Sequence, residues 1–97
     1  MNRIAIIGTG GVGGFFGAKL ARAGYDVTFL ARGVHKTAMQ KTGLQIISVD
    51  GDFHIDQPKV YDTIQNLGLS DLILVAVKAW QVKEVRSELK SIMHPDT

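Results

Sequence analysis

The feature that most constrains this chain is the junction at residues 8–13, where Gly8-Thr9-Gly10-Gly11-Val12-Gly13 follows directly on the apolar run Arg3 to Ile7. Ile4, Ile6 and Ile7 make the near-continuous apolar stretch of a strand buried on both faces, as parallel sheets require. Val12, Phe16, Leu20 and Ala23 then recur at helical spacing, with Phe15 widening the stripe, and they predict the core-facing side of a helix. Gly24 supplies the left-handed residue that commonly ends a helix, and Tyr25-Asp26 leads into a second apolar run, Val27 to Leu30. The order is strand, glycine turn, helix, strand. Such a unit aims unpaired N–H groups and the positive end of the helix macrodipole at one point, which favours a phosphate. GxGxxG alone also occurs in ordinary turns, flavin sites and methyltransferases, so the βαβ setting carries the argument. Gly8 permits the tight turn, Gly10 leaves room for a pyrophosphate and Gly13 lets the helix approach the strand. A dinucleotide cradled by Gly8, Thr9, Gly10, Gly11, Val12 and Gly13 is the expectation.

The rest of the chain continues the same pattern. Gly33 to Lys41 is polar and predicts a short helix or an ordered loop. Leu44 to Val49, Asp50-Gly51 and Asp52 to Ile55 read as a β-hairpin, because Asp-Gly fits a tight primed turn between β-prone runs. A brief strand at Lys59 to Tyr61 and a helical turn from Asp62 to Leu69, stopped at Gly68, follow. The unbroken apolar run within Asp71 to Val77 predicts a strand suited to the centre of a sheet. Val82, Val85, Leu89 and Ile92 mark one face of a last helix, which Pro95 ends. The expected fold class is therefore α/β: a Rossmann-type, doubly wound, mostly parallel sheet with right-handed crossovers. A six-stranded version needs more strands than this chain supplies, since only three residues follow His94. Residues 1–97 accordingly read as a dinucleotide-binding domain cut before its last strands, or as a minimal unit with one edge left open.

Composition excludes several other classes. With 97 residues, 45% hydrophobic and 21% charged, the chain is one globular domain at most. No apolar stretch reaches the roughly 18 residues of a membrane span, and Met1-Asn2-Arg3 leads into a strand, so no membrane contact and a cytoplasmic location are expected. The absence of cysteine removes disulfides, thiolate metal sites and a cysteine nucleophile. A formal charge of +2 is spread thinly. Lys83, Glu84, Arg86, Glu88 and Lys90 alternate in sign, and Tyr25, Tyr61 and Trp80 lie in separate segments, which speaks against a nucleic-acid partner.

Ligands of open α/β sheets bind outside the carboxyl ends of the strands, and three of those ends carry Gly8, Arg32 and Lys78. An enzyme preferring NAD usually has a carboxylate about 20 residues past the glycine turn, to accept from the ribose hydroxyls. Here Ala31-Arg32-Gly33 offers a guanidinium instead, able to pair in bidentate fashion with a 2′-phosphate and to stack on adenine. NADPH is thus the expected cofactor. Lys36 is a second nearby cation, with a surface role the simpler reading. Lys78 could reach the cofactor or a carboxylate substrate. Trp80 is read as core or a cleft wall, and Gln81 as a ligand contact or a helix start. His35, His54 and His94 share no ligand spacing, and no metal site is expected.

Taken together, these residues resemble the ketopantoate reductase (2-dehydropantoate 2-reductase) family nearly end to end. The matching stretches are Ile6 to Gly14, Ala31-Arg32-Gly33, Gly43-Leu44 before a hairpin holding Asp50-Gly51-Asp52, and Asp71 to Gln81; Val77-Lys78-Ala79-Trp80-Gln81 is the most specific. The resemblance implies NADPH-dependent reduction of 2-dehydropantoate to pantoate, in pantothenate biosynthesis, by an oxidoreductase whose full-length form could be a homodimer. It places the pyrophosphate at Gly8 to Gly13, the 2′-phosphate at Arg32 and the nicotinamide end near Lys78. The family's later asparagine, general-acid lysine and substrate-binding glutamate, the last two in a helical carboxyl-terminal domain, have no counterpart in residues 1–97. No catalytic residue is therefore expected here, and the piece alone should bind cofactor without turning over a keto acid. Two alternatives remain at this point: another NADP-dependent dehydrogenase of the β-hydroxyacid or 6-phosphogluconate type, and a non-enzymatic NADP-sensing module.

Overall fold

Unbroken burial from Ile4 to Ile7 along β1 (Arg3–Ile7) organises the molecule. Ile4 is 1% exposed, and Ala5, Ile6 and Ile7 are wholly buried, so both faces of this strand lie inside the protein. The computed structural model describes residues 3–8, 12–49, 51–76 and 82–97. β1 is flanked by β2 (Asp26–Leu30) on one side, and β5 (Lys59–Tyr61) pairs in turn with β2; β6 (Leu72–Val75) lies on the other side of β1. All these pairings are parallel, and the sheet order is β5-β2-β1-β6. The remaining strands, β3 (Leu44–Ile46) and β4 (Phe53–Ile55), form a separate antiparallel pair.

Because side chains alternate across a strand, the two faces of the sheet build two cores. Ile4, Ile6, Val27, Phe29, Ala31 and Val60 gather on one, with Met39 of α2 (Gly33–Thr42) and the partly buried Leu20 and Ala21 of α1 (Val12–Arg22). On the other, Ala5, Ile7 and Leu30 meet Ile64 and Leu67 of a 3-10 turn, Val85 of α3 (Val82–Leu89) and Ile92 beyond it. Helical elements thus cover both faces. The doubly wound, mostly parallel α/β sheet expected from the sequence is the architecture observed.

The packing of α1 departs from the sequence reading. Phe16, expected in the core-facing stripe, is 52% exposed, and Ala23 is exposed as well. The face turned to the sheet is Gly13, Gly14, Gly17 and Ala18, all buried. Space explains the exchange: a Cβ on Gly17 would stand 2.5 Å from Phe29 Cε1 and 2.9 Å from Ile6 Cγ1. The helix lies so near the strands that bulk must point away. Phe16 instead meets Phe15 edge to face, with centroids 5.6 Å apart, and the Lys19 ammonium sits 5.0 Å from the Phe15 ring.

Elsewhere most elements fall where the sequence places them, and two readings change, the hairpin turn and the position of the last strand. Gly24 takes the left-handed conformation that ends α1, with φ of 103°. α2 runs the full length of the polar segment, anchored by Met39 alone among its buried residues. The hairpin turn is wider than an Asp-Gly pair would make it, because Ile46 pairs with Phe53 and leaves residues 47–52 to the loop. Within that loop Ser48 N–H donates to Asp52 Oδ1 at 2.9 Å, and Gly51 N–H to the Ser48 carbonyl at 3.1 Å. A side-chain acceptor takes over what a primed two-residue turn would have closed. β6, whose apolar run reads as central, stands at the sheet margin among the described residues, with Val75 42% exposed.

Gly17→Ala sets two effects against each other. Alanine gains about 1 kcal/mol of helix propensity over glycine, whereas overpacking a filled core costs about 1–3 kcal/mol. Phe29 and Ile6 are wholly buried and have nowhere to yield, so a net loss of about 1 kcal/mol is expected. A urea midpoint at or above that of the parent would show that the helix can lift off the sheet.

Candidate functional site

Strand order reverses at β1. The chain moves outward from β1 to β2 and β5, then returns to lay β6 on the other flank, so the carboxyl end of β1 is the switch point at which open α/β sheets place their ligand crevice, between crossovers that leave toward opposite faces. Gly8 stands at that point with φ of 94°, a conformation side-chain-bearing residues rarely adopt. A Cβ on Gly13 would collide with the Gly8 carbonyl oxygen and lie 3.0 Å from Ala76 Cβ. The first and last glycines of the turn are therefore demanded by the backbone itself. Thr9, Gly10 and Gly11 lie outside the described residues. α1 starts at Val12 with no acidic residue in its first turn and with Lys19 and Arg22 in its last, so its positive end faces the crevice without a compensating carboxylate of its own.

Arg32 reaches the same edge by way of β2. Ile7 pairs with Leu30, and Ala31 N–H donates to the Tyr61 carbonyl at 3.0 Å, so Arg32 is the first residue beyond the ladder. Its backbone is extended, with φ −129° and ψ 157°, and it stands at the N-cap of α2 without a side-chain capping bond. The residue is exposed, and no ion pair engages it among the described residues. One turn further along α2, Lys36 Nζ lies 3.4 Å from Asp62 Oδ2. Gly8 and Arg32 are thus brought together by parallel pairing, and Ala76 N–H, donating to the Ile7 carbonyl at 2.8 Å, carries β6 up beside them. Lys78, Trp80 and Gln81 lie outside the described residues.

The three histidines are held elsewhere. His54 Nδ1 is 3.0 Å from Gln45 Oε1 in the hairpin, and His94 Nε2 is 2.7 Å from Asp71 Oδ1 near the amino end of β6. His35 is exposed on α2. Among the described residues no group of three or more His, Asp or Glu side chains could hold a metal ion.

The amino ends of the strands carry a network that sequence reasoning missed. Asp26, the register partner of Arg3, accepts from Arg3 Nε at 3.2 Å and from Lys59 Nζ at 2.7 Å. The bond from Lys59 is the largest influence holding the Asp26 carboxyl below its ordinary range; partial desolvation opposes it, and the Arg3 bond and both cationic charges add to the lowering. A cleft of about 260 Å³ opens beside this network, between Tyr25, Asp26, Phe29, Pro58 and Lys59. It lies at the amino end of β2, away from Gly8 and Arg32. Partners 23 and 33 residues apart leave no local trace in a sequence, and only the strand register reveals them.

A parallel sheet with helices on both faces and a glycine turn where strand order reverses defines a Rossmann-type domain. Within that class, the chain belongs to the ketopantoate reductase PanE/ApbA family, whose family model matches residues 4–97. Its relatives include the 2-dehydropantoate 2-reductase of Nostoc sp., 40% identical over 79 residues, which is 81% of this chain and 24% of the relative. The crystal structure of 2-dehydropantoate 2-reductase from Geobacter metallireducens GS-15 matches with a TM-score of 0.89 at 35% identity, covering 98% of this chain and 31% of that one. A ternary structure of D-mandelate dehydrogenase with NADH and anilino(oxo)acetate matches with a TM-score of 0.81 at 26% identity, over 98% of this chain and 31% of the other. The chain thus spans between 24% and 31% of the length of these proteins. Among the described residues no helix is long and apolar enough to cross a membrane.

Two outcomes follow from this geometry. Gly13→Ala should destabilise the protein by about 3 kcal/mol, because the new carbon meets a backbone carbonyl rather than a movable side chain; a urea midpoint unchanged by the substitution would contradict the close approach. The lowered Asp26 pKa gives a stability contribution that is present above the ordinary value of 3.8 and is lost as pH falls through the lower folded value. Denaturation midpoints of Asp26→Asn followed from pH 6 down to pH 2.5 should therefore fall less steeply than those of the parent.

Proposed function

We propose that this chain is the NADPH-binding domain of a 2-dehydropantoate 2-reductase. In this reading the cofactor lies across the carboxyl ends of β1 and β2. Gly8, Thr9, Gly10, Gly11, Val12 and Gly13 cradle the pyrophosphate, Arg32 holds the 2′-phosphate, and Lys78 attends the nicotinamide end. The observation that carries it is the pairing of the left-handed Gly8, pressed against Gly13 at the start of an uncompensated helix, with an exposed guanidinium on the neighbouring strand end. The residues fit the group: a helix start and a fork of donors suit two phosphates. Family membership supports the activity. When bound, the nicotinamide supplies a hydride to a ketone carbon. The chain's own part is to anchor the two phosphate-bearing regions so that the reactive ring is held in one place. Substrate-binding and proton-donating groups are assigned to protein beyond residue 97, and the 97-residue chain alone binds cofactor without turnover.

The likeness to a D-mandelate dehydrogenase solved with NADH favours one other reading, a reductase of a different 2-oxo acid that uses NADH. Arg32→Asp separates the two, because it removes a charge-assisted bidentate partner and sets a repelling carboxylate in its place. NADPH affinity should fall by roughly 30-fold or more, with NADH affinity little changed, as read by calorimetric titration. Equal losses for both cofactors would remove Arg32 from the 2′-phosphate. Oxidation of NADPH by 2-dehydropantoate, measured on the longer protein, tests the substrate; turnover only with another 2-oxo acid would reject it.

A further inference from the structure

The Lys36–Asp62 ion pair places a carboxylate on the same rim as Arg32, the residue proposed above to hold a phosphate. Tyr61 is the register partner of Leu30 and its carbonyl accepts from Ala31 N–H at 3.0 Å, so just past the ends of β5 and β2 Asp62 lies beside Ala31, one residue short of Arg32. Neighbouring strands lie about 4.8 Å apart, so Asp62 and Arg32 are diagonal neighbours at the sheet edge. The Asp62 side chain is 52% exposed there. Left to itself, its carboxylate would repel a phosphate at Arg32 and would accept hydrogen bonds from a ribose carrying free hydroxyls, the role an acidic residue plays in NAD sites. Lys36 prevents this. Its ammonium stands 3.4 Å from Asp62 Oδ2, and its side chain, 28% exposed, reaches there from the turn of α2 that follows Arg32.

We propose that Lys36 and Asp62 together set the preference between phosphorylated and unphosphorylated dinucleotide, Lys36 by masking the Asp62 carboxylate and Asp62 by limiting how much positive charge Lys36 presents. The proposal rests on the reading that the 2′-phosphate lies at Arg32. An intact ion pair is nearly neutral toward a ribose hydroxyl, whereas the Asp62 carboxylate without Lys36 accepts from it, so NADH gains modestly when Lys36 is removed. A phosphate carries roughly −1.5 to −2 charges, so each half of the pair, once alone, acts on it strongly. Both side chains lie at the surface, which keeps the expected changes modest and salt-dependent.

The test is titration of NADPH and NADH into the parent protein and into Lys36→Met, Lys36→Arg, Asp62→Asn, the Lys36→Met/Asp62→Asn double variant and Arg32→Asp, at low and at physiological salt, with circular dichroism confirming the fold. Lys36→Met should weaken NADPH by roughly three- to tenfold and tighten NADH by about twofold. Asp62→Asn should tighten NADPH by about two- to fivefold, Lys36→Arg should keep the parental ratio, and the double variant should return close to it. An NADPH to NADH ratio unmoved in both folded single variants, while Arg32→Asp still shifts it, overturns this proposal and leaves the cofactor reading intact. Failure of the parent to bind either dinucleotide, or an unmoved ratio in Arg32→Asp, removes the reading beneath it and the proposal with it.

Discussion

The close approach of α1 to β1 is the contact on which the rest of this structure depends. Two glycines make it possible. Gly13 lets the first turn of the helix press against the carbonyl of Gly8, and Gly17 lets the middle of the helix rest on Phe29 and Ile6. Glycine inside a helix costs about 1 kcal/mol relative to alanine. That cost is offset by a filled interface: Ile6 and Phe29 are wholly buried beneath the glycine face. A helix held at that distance also keeps its amino terminus over the end of β1, so the element that packs the core is the one that aims backbone donors at the crevice. In the proposed reading, packing and recognition share one geometric requirement.

Parallel pairing supplies the second half of the site. In an antiparallel sheet neighbouring strands end at opposite edges, whereas β1, β2, β5 and β6 all end at one. Gly8, Arg32, Asp62 and Ala76, distant in sequence, therefore meet along a single rim. The opposite rim collects the residues that begin each strand, and there Arg3, Asp26, Lys59 and Asp71 join in hydrogen-bonded ion pairs and backbone contacts. Asp71 accepts from Arg3 N–H at 3.0 Å and also approaches His94 at 2.7 Å, which ties the segment after α3 to the start of the sheet. One rim is closed by its own charges. The other leaves Arg32 exposed.

What the sequence made legible follows from how local its signals are. The apolar run at Ile4 to Ile7, the glycine turn and the break at Gly24 lie within 25 residues and describe the first βα unit almost completely. Lys59 to Tyr61 was readable as a strand, and its place beside β2 followed only from register. Phe16 misled because hydrophobic periodicity weighs side-chain size and takes no account of the space available. Where a helix must come within reach of Phe29 Cε1, the smallest residues turn inward and a phenylalanine is displaced to the surface. The hairpin turn misled for a related reason: Asp-Gly is a strong local signal, but pairing of Ile46 with Phe53 and the Asp52 acceptor for Ser48 fixed a wider loop. Arg32 was legible as a candidate through its distance from the glycine turn. The Lys36–Asp62 and Asp26–Lys59 pairs join segments 26 and 33 residues apart, and no periodicity encodes them.

If Arg32 holds the 2′-phosphate as proposed, its rim offers a way to set cofactor preference without replacing the principal contact. A guanidinium offers a phosphate two parallel hydrogen bonds, and a single carboxylate beside it would cancel much of that attraction. Deleting the carboxylate is one solution. Pairing it with an ammonium is another, and it keeps the local charge adjustable by small changes at either partner. Lys36 sits on the helix that Arg32 caps, and Asp62 directly follows the strand that Ala31 bonds, so the β2–β5 edge fixes the backbone positions from which both charges extend. Secondary structure thus sets where both side chains are anchored relative to Arg32, which ties their balance to the fold at the level of the backbone.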